Sequence, residues 1–431
     1  MNKQMRLLGV ASIAVAGAFA GYLGAEEVAA EASAAAEAGG ETPASPPGKA
    51  RDSEIMPRSA YALLLDIVNT GSHLLAVGEH GSIVVSNDGV KWEQVKAPVR
   101  SPLTAITFVD AQNGWAVGHD AAIVKTSDGG KTWVLQNFQP ELEKPLLDVL
   151  FLDGTNGFAV GAYGLFLKTS DGGGTWTEVD APAVRGGETH LNAMTKLDNG
   201  NLLIVGEQGM IAVSADNGAT WSKLKSPYDS SFFGAIASGA TGAIIYGLRG
   251  NVYKMDDITL AEKEAVEGGL EADPAADPAA PVTGSAAVAD PAVTDTAAAV
   301  PAEPAPASDP AVAAADPAAV PVAGTGAVAD PALAAPTGVA WTKVETNSTA
   351  TFFSAVKLSS GELVFVGLRG AVLKMTADGS SPQSLKVSEK EVTASGERDK
   401  EISSTYSSAI PWKAGLLLVG EEGIKSLRAF N

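Results

Sequence analysis

Across residues 62–257 and 338–431 the apolar residues come in short runs broken by turn-forming clusters, roughly every 8–12 positions. Within the runs, as in "LTAITFVD" (103–110) and "AAIVKTSD" (121–128), apolar and polar positions alternate with a period of two. Such alternation puts one side of an extended chain against a core, and the three-to-four spacing of an amphipathic helix is absent here. The pattern predicts an all-β region of short antiparallel strands.

The runs also repeat. An apolar strand ending in Val-Gly or a close variant, then two variable residues and usually a second glycine, recurs seven times. The copies are "LLAVGEHG" (74–81), "WAVGHDA" (115–121), "FAVGAYG" (158–164), "LIVGEQG" (203–209), "IIYGLRG" (244–250), "VFVGLRG" (364–370) and "LLVGEEG" (417–423). Their first five glycines, Gly78, Gly118, Gly161, Gly206 and Gly247, lie 40, 43, 45 and 41 residues apart. Four short strands in a unit of about 40–45 residues is the period of a propeller blade. One such sheet cannot cover its own faces, whereas a ring packs each face on a neighbour. The expected fold is a seven-bladed β-propeller of four-stranded antiparallel blades.

A second mark closes most units. "VKTSDGGKTW" ends at Trp133, "LKTSDGGGTW" at Trp176, "VSADNGATW" at Trp221 and "VSNDGVKW" at Trp92. Aspartate accepts hydrogen bonds from turn amides, glycine supplies the backbone freedom, and tryptophan lays a large apolar ring over the hairpin. Asp88, Asp128, Asp171, Asp216 and Asp257, with Trp92, Trp133, Trp176, Trp221 and Trp341, are therefore assigned a structural role. The fifth copy is split: "VYKMDD" begins it and "GVAWTKV" finishes it. Between them, residues 258–337 hold 12 acidic residues, one lysine and no aromatic residue, with "DPA" six times. That composition predicts a disordered acidic insert in the hairpin of blade five. Closing a longer loop costs only about 0.6 kcal/mol per doubling of length. The expected organisation is 53–257 for blades one to five (first part), 258–337 for the insert and 338–431 for the remainder. The last unit, ending in "GIKSLRAFN", is one strand short; residues near Ile55–Ser59 are expected to supply that strand, or blade seven keeps three.

The chain has 431 residues and 50 acidic against 30 basic side chains, a formal charge of −20, which disfavours nucleic acid and anionic lipid as partners. Without cysteine there is no disulfide framework, thiolate metal site or thiol nucleophile. Lys3 and Arg6 precede the apolar run "LLGVASIAVAGAFAGYL", and small residues follow before Glu26. This reads as a signal peptide, 1–25, ahead of a disordered tail, 26–52, and predicts an exported, periplasmic or extracellular protein; an uncleaved anchor is the alternative.

Residues 114–133, "GWAVGHDAAIVKTSDGGKTW", and 157–176, "GFAVGAYGLFLKTSDGGGTW", resemble the Asp-box (BNR) repeat propellers, and more specifically the photosystem II stability/assembly-factor family with its relatives in non-photosynthetic bacteria. The resemblance spans the whole repeat region. It implies a seven-bladed, non-enzymatic assembly factor that holds a membrane-protein partner. The strong acidity and the long Ala/Asp/Pro insert depart from that family's pattern.

Chemistry-bearing motifs are few. "GGKT" at 129–132 lacks the leading glycine of a phosphate-binding loop, and with four histidines in all no histidine-rich metal site is expected. No cofactor is implied. The enzyme alternative is a sialidase-like glycosidase or a glycan-binding Asp-box propeller. A sialidase needs three convergent arginines and a tyrosine nucleophile; Arg249, Arg369 and Tyr163 occupy comparable loops, and a third arginine has no evident place. In a propeller the turns after each Val-Gly gather on one face around the channel. They carry Glu79–His80, His119–Asp120, Ala162–Tyr163, Glu207–Gln208, Leu248–Arg249, Leu368–Arg369 and Glu421–Glu422. This ring is the expected binding mouth for a protein partner, with Arg249 and Arg369 gripping a carboxylate-bearing segment.

Overall fold

A computed structural model of the chain describes residues 49–264, 340–393 and 396–427. The 1–25 segment, nearly all of the 26–52 tail and most of the acidic insert lie outside the described residues.

Seven sheets follow one another along the chain. Blade one is β1 (Leu64–Asn69), β2 (Leu74–Gly78), β3 (Ile83–Ser86) and β4 (Glu93–Val95). Blade two is β5 (Leu103–Phe108), β6 (Gly114–Gly118), β7 (Ile123–Thr126) and β8 (Val134–Asn137). Blade three is β9 (Leu146–Phe151), β10 (Gly157–Gly161), β11 (Phe166–Thr169) and β12 (Thr177–Glu178). Blade four is β13 (Leu191–Lys196), β14 (Leu202–Gly206), β15 (Ile211–Ser214) and β16 (Ser222–Lys223). Blade five is β17 (Phe232–Ser238), β18 (Gly242–Gly247), β19 (Val252–Met255) and β20 (Thr342–Val344). Blade six is β21 (Phe352–Lys357), β22 (Leu363–Gly367), β23 (Val372–Met375) and β24 (Gln383–Ser384). A separate two-stranded hairpin follows, β25 (Ser388–Thr393) and β26 (Gly396–Glu401). Blade seven is β27 (Tyr406–Trp412), β28 (Gly415–Gly420) and β29 (Gly423–Leu427).

The first strands touch in order, β1 on β5, β5 on β9 and so on to β27, which returns to β1. The ring is therefore closed, with the first strands innermost. The fold is a seven-bladed β-propeller. Strand β19 pairs with β20, so the two sides of the acidic segment meet in one hairpin of blade five.

Seven apolar clusters hold the ring, each spanning two neighbouring blades. Every residue of β2, β6, β10, β14, β18 and β22 is buried, because these strands are covered on both faces. Here the expected period of two gives way to a continuous apolar run, as a doubly covered strand requires. Fully burying a Leu, Val or Ile side chain contributes about 1.5–3 kcal/mol, so the seams dominate the stability. The tryptophans belong to them: Trp133 joins the cluster between blades one and two, and Trp176 the one between two and three. Trp221, Trp341 and Trp92 do the same for the three-four, four-five and seven-one seams.

The glycine ending each second strand answers to space rather than torsion. At Gly118 the backbone is extended (φ −178°), yet a Cβ would lie 2.0 Å from the carbonyl oxygen of Pro102 at the start of the inner strand. The same approach recurs from Gly78 to Gly420.

Two expectations are corrected. Residues Ile55–Ser59 do not complete blade seven, whose sheet has three strands among the described residues. Ser53 N–H instead donates to Ala97 O (2.8 Å) and Met56 N–H to Gln94 Oε1 (2.6 Å), which ties this segment to blade one. Pro57 then starts a turn, and a short 3-10 turn, Ser59–Tyr61, lies beside Gly423. Blade one meets blade seven through side chains: Ser407 Oγ donates to Leu64 O and Ser408 Oγ to Asp66 Oδ1, both at 2.8 Å. The ordered chain also continues past residue 257. Ile258 is buried, Lys225 N–H donates to Glu262 O (2.8 Å), and Glu264 N–H donates to Lys223 O (2.9 Å), so residues 262–264 edge blade four.

Candidate partner-binding face

Each inner strand carries a register irregularity near its start, beside the end of the second strand. A β-bulge re-aims the extra residue. The residues at these seven places, Leu65, Thr104, Leu147, Asn192, Phe233, Phe353 and Ser407, line one cavity of about 110 Å³ on the ring axis. Three of them also fasten neighbours: Thr104 Oγ1 donates to Leu146 O and Asn192 Nδ2 to Phe232 O, both at 2.8 Å, and Ser407 bridges to blade one as above. Phe233 and Phe353 pack together with ring centroids 5.3 Å apart.

The turns after the second strands stand at this same end of the channel. In blades one to six each is a single 3-10 turn whose middle residue is left-handed: His80, Asp120, Tyr163, Gln208, Arg249 and Arg369, with φ between 53° and 60°. Their roles differ. Glu79, Glu207 and Glu421 turn inward and accept from the backbone N–H of Leu63 (3.4 Å), His190 (3.2 Å) and Thr405 (2.9 Å), securing the entry to their own inner strands. Asp120 accepts from Ser101 Oγ. Burial pulls the His119 imidazole below its usual pKa, with Asp120 opposing. Burial also lowers His190, against which Glu207 works, and Tyr163 meets that ring edge-on at 4.8 Å. His80 is exposed, 3.9 Å from Glu79.

Arg249 and Arg369 stand apart. Both are exposed, they sit on adjacent blades, and neither guanidinium has a hydrogen bond or ion pair among the described residues. Arg249 N–H donates to Thr351 Oγ1 (3.4 Å), tying its turn to the start of β21. The Phe233–Phe353 pair lies just inside, at the starts of β17 and β21. Tyr163 is on blade three, away from both arginines. The arginine beside it is Arg185, whose guanidinium is spent on Gly164 O (3.1 Å), Val179 O (3.0 Å) and Glu178 (2.8 Å). The described residues thus assemble no three-arginine cradle, and no group of three or more potential metal ligands.

The aspartate turns join third to fourth strands and so occupy the opposite face. Sequence reading missed their central element, a buried hydroxyl two residues earlier. Ser86, Thr126, Thr169 and Ser214 each donate to the aspartate and accept from a glycine N–H at 2.8–2.9 Å. Burial works against ionisation of Asp128, yet hydrogen bonds from Thr132, Thr126 and Lys131 hold it down at about 2. Hydrogen bonds led by Thr220 hold Asp216 there too. Asp257 departs from this pattern: Met255 stands where the hydroxyl would be, and Asp257 caps a short 3-10 turn through Thr259 instead.

Two carboxylates inside the ring also gave no sequence signal. Asp66 accepts from Ile67 N–H (2.8 Å), from Ile106 N–H of blade two (2.9 Å) and from Ser408 of blade seven. Asp148 accepts from Val149 N–H and from Met194 N–H of blade four, both at 2.8 Å. Burial raises Asp66 to about 6 and, with the Asp66 charge adding to it, Asp148 to about 7.

Fold and face together define a seven-bladed β-propeller whose one open end combines a narrow axial cavity with two unpaired arginines. The family model described as "Photosynthesis system II assembly factor YCF48" matches residues 83–144 and 134–268. The matched stretch, 83–268, is somewhat less than half of the chain, and over it the repeats are similar to those of that family. The Photosystem II assembly protein Ycf48 of Thermosynechococcus vestitus is 38% identical over 42 residues, a stretch that is 10% of this chain and 12% of that protein. Among solved structures, "YCF48 bound to D1 peptide" superposes with a TM-score of 0.53 at 13% identity, over 90% of this chain and 98% of that one. YCF48 from Cyanidioschyzon merolae gives 0.53 at 12% identity, over 88% and 99%. The extracellular domain of a putative hybrid two component system from B. thetaiotaomicron gives 0.53 at 10%, over 88% and 41%. At such identities these likenesses concern the fold.

Proposed function

We propose that this chain is an exported, non-enzymatic scaffold of the Asp-box kind. In this reading it acts as an assembly or stability factor and holds a segment of a membrane-protein or envelope complex on its mouth face. The observation that carries it is the pair of exposed, unpartnered guanidiniums, Arg249 and Arg369, above the Phe233–Phe353 pair. A peptide segment bearing a carboxylate and an apolar side chain would find two planar donor forks and an aromatic floor. On a chain of formal charge −20, this spot attracts an anionic segment that the remaining surface repels. That a Ycf48 has been solved with a D1 peptide supports peptide capture by this fold.

The test compares the full chain with Arg249→Glu/Arg369→Glu in pull-downs from solubilised envelope, followed by titration of the captured partner. A hydrogen bond to a charged group contributes about 1.5–3 kcal/mol, and about 1.4 kcal/mol is tenfold in affinity. Loss of both arginines is therefore expected to weaken binding by about 100-fold or more, with the melting temperature unchanged. Undiminished capture by the folded double variant would remove the mouth from the function.

A further inference from the structure

On the face opposite the mouth, the aspartate turns of blades three and four flank a cleft of about 640 Å³. Small-molecule sites commonly measure about 300–1,000 Å³. The lining of this one includes Phe158, Lys168, Lys196, Asp153, Asp171 and Asn217.

Between blades two and three the equivalent turn is tied across the seam. Gly172 O accepts there from Lys125 Nζ (2.9 Å), Trp115 Nε1 (3.2 Å) and Gln136 Nε2 (3.3 Å). One blade further on, strand register puts Phe158 and Lys168 where Trp115 and Lys125 stand, and the aspartate turn puts Asn217 where Gly172 stands. A phenyl ring has no N–H to give. Among the described residues Lys168 has no hydrogen bond or ion pair, and the backbone N–H and C=O of Asn217 have no partner. Gly172 N–H, by contrast, donates to Thr155 O (2.8 Å). Lys196 and the Thr177 hydroxyl, also in the lining, are likewise exposed and unbonded among these residues.

The two carboxylates are only partly used. Asp153 Oδ1 accepts from the N–H groups of Thr155 (2.7 Å) and Asn156 (2.8 Å), and Asp171 Oδ1 from Thr169 Oγ1 (2.8 Å) and Thr175 N–H (2.9 Å). Hydrogen bonds led by Asn156 and by Thr175 hold both below the ordinary carboxylate pKa. Both therefore stay ionised at neutral pH, and Oδ2 of each keeps a lone pair for a further donor. The cleft thus offers two ammoniums from adjoining blades together with free hydroxyl, amide and carboxylate groups. Asp153 and Asp171 would repel a bare polyanion, and an apolar ligand would leave the ammoniums stranded. A molecule that joins hydroxyl donors to a carboxylate satisfies both sets.

We propose that this cleft binds an acidic sugar, a uronic-acid unit of an oligosaccharide. Lys168 and Lys196 hold its carboxylate, while Asp153, Asp171 and Asn217 take its hydroxyls. The site faces away from Arg249 and Arg369 and does not rest on partner capture at the mouth.

The probe is tri-galacturonic acid, titrated calorimetrically into the full chain at neutral pH and low salt, with galactotriose and citrate as the neutral and the bare-anion controls. Saturable binding of the acidic trisaccharide is expected, at least about tenfold tighter than either control. Lys168→Gln/Lys196→Gln alters two exposed side chains that hold nothing in the fold. It should keep the melting temperature and weaken binding at least about tenfold. Thr177→Trp, at an exposed position of the outer strand, should block the cleft sterically. Arg249→Glu/Arg369→Glu should bind the trisaccharide as the wild type does, which separates this result from the mouth. No saturable heat with the trisaccharide, equal binding by the folded lysine variant, or citrate binding as tightly as the trisaccharide overturns the proposal. So does binding seen only when a short linker replaces residues 265–339, which makes the chain's own insert the occupant.

Discussion

Replacing Asp66 and Asp148 by asparagine tests the account of the ring interior through its pH dependence. Their ordinary pKa is 3.8, and in the folded ring they reach about 6 and about 7, chiefly through burial. A carboxyl whose folded pKa is raised binds protons more tightly in the native state than in the unfolded one. Its effect on stability is therefore neutral below the unfolded value and grows unfavourable as the pH climbs through the folded value. At 1.36 kcal/mol per unit, the upper limits are about 3 kcal/mol for Asp66 and about 4 kcal/mol for Asp148. Each side chain retains some accessible surface, so the realised loss is smaller. His119 and His190 act in the opposite sense: their folded values are depressed, so their contribution is lost as the pH falls. The informative quantity is thus the difference between wild type and Asp66→Asn/Asp148→Asn. Urea unfolding at pH 5 and pH 8 should show the wild type losing at least about 2 kcal/mol more than the double variant across that interval. Asparagine keeps an acceptor for Ile106 or Met194 N–H, so the variant remains foldable. Parallel pH profiles for the two proteins would refute the assignment.

Gly118→Ala should cost several kcal/mol although its torsion angles suit alanine, because the added carbon would lie 2.0 Å from Pro102 O. Gly200→Ala, with nothing within 4 Å but φ at +90°, should lose only about 1 kcal/mol. Thermal melts of the pair separate close approach from torsional strain. Thr126→Val deletes the hydroxyl that donates to Asp128 and accepts from Gly130, and should cost about 1–3 kcal/mol in denaturant unfolding. The Met375→Leu change at the register-equivalent position of blade six, whose turn hydroxyl comes from Thr376 one residue later, should cost under about 1.5 kcal/mol. Replacing residues 388–401 by a short turn should leave the melting temperature within a few degrees, since β25 and β26 pair only with each other; a large drop would show that the hairpin supports blades six and seven.

What could be read in advance was whatever recurs. The Val-Gly glycines and the closing tryptophans repeat because every blade meets the same steric demands, so Gly78 to Gly420 and Trp92 to Trp341 announced the ring. The bulge residues did not. Leu65, Thr104, Leu147, Asn192, Phe233, Phe353 and Ser407 share a location and no chemistry, and only the meeting of seven distant segments makes them neighbours. Asp66 and Asp148 looked like ordinary polar positions of an alternating strand, because their acceptor role is set by amides of another blade. The hydroxyls of Ser86, Thr126, Thr169 and Ser214 did stand in the text of the repeat, two residues before each aspartate, and that spacing was the available signal. The mouth arginines were visible through the duplicated "GLRG". The structural use of Glu79, Glu207 and Glu421 was hidden, since it depends on inner-strand amides sixteen or seventeen residues away.

Many circular folds are bolted shut by a strand borrowed from the opposite terminus; here, among the described residues, blades one and seven are only pressed together. Leu417 and Val419 lie against Leu64, Ile67 and Leu74, and the polar links across that junction are the Ser407 and Ser408 hydroxyls and the Lys413 ammonium. Among the described residues no backbone ladder crosses it, and unlike the other six seams it has no connecting chain between its two blades. Such a join yields first under heat or tension, so breathing should begin there, unlatching the circle like a bracelet while the other six joints stay fastened.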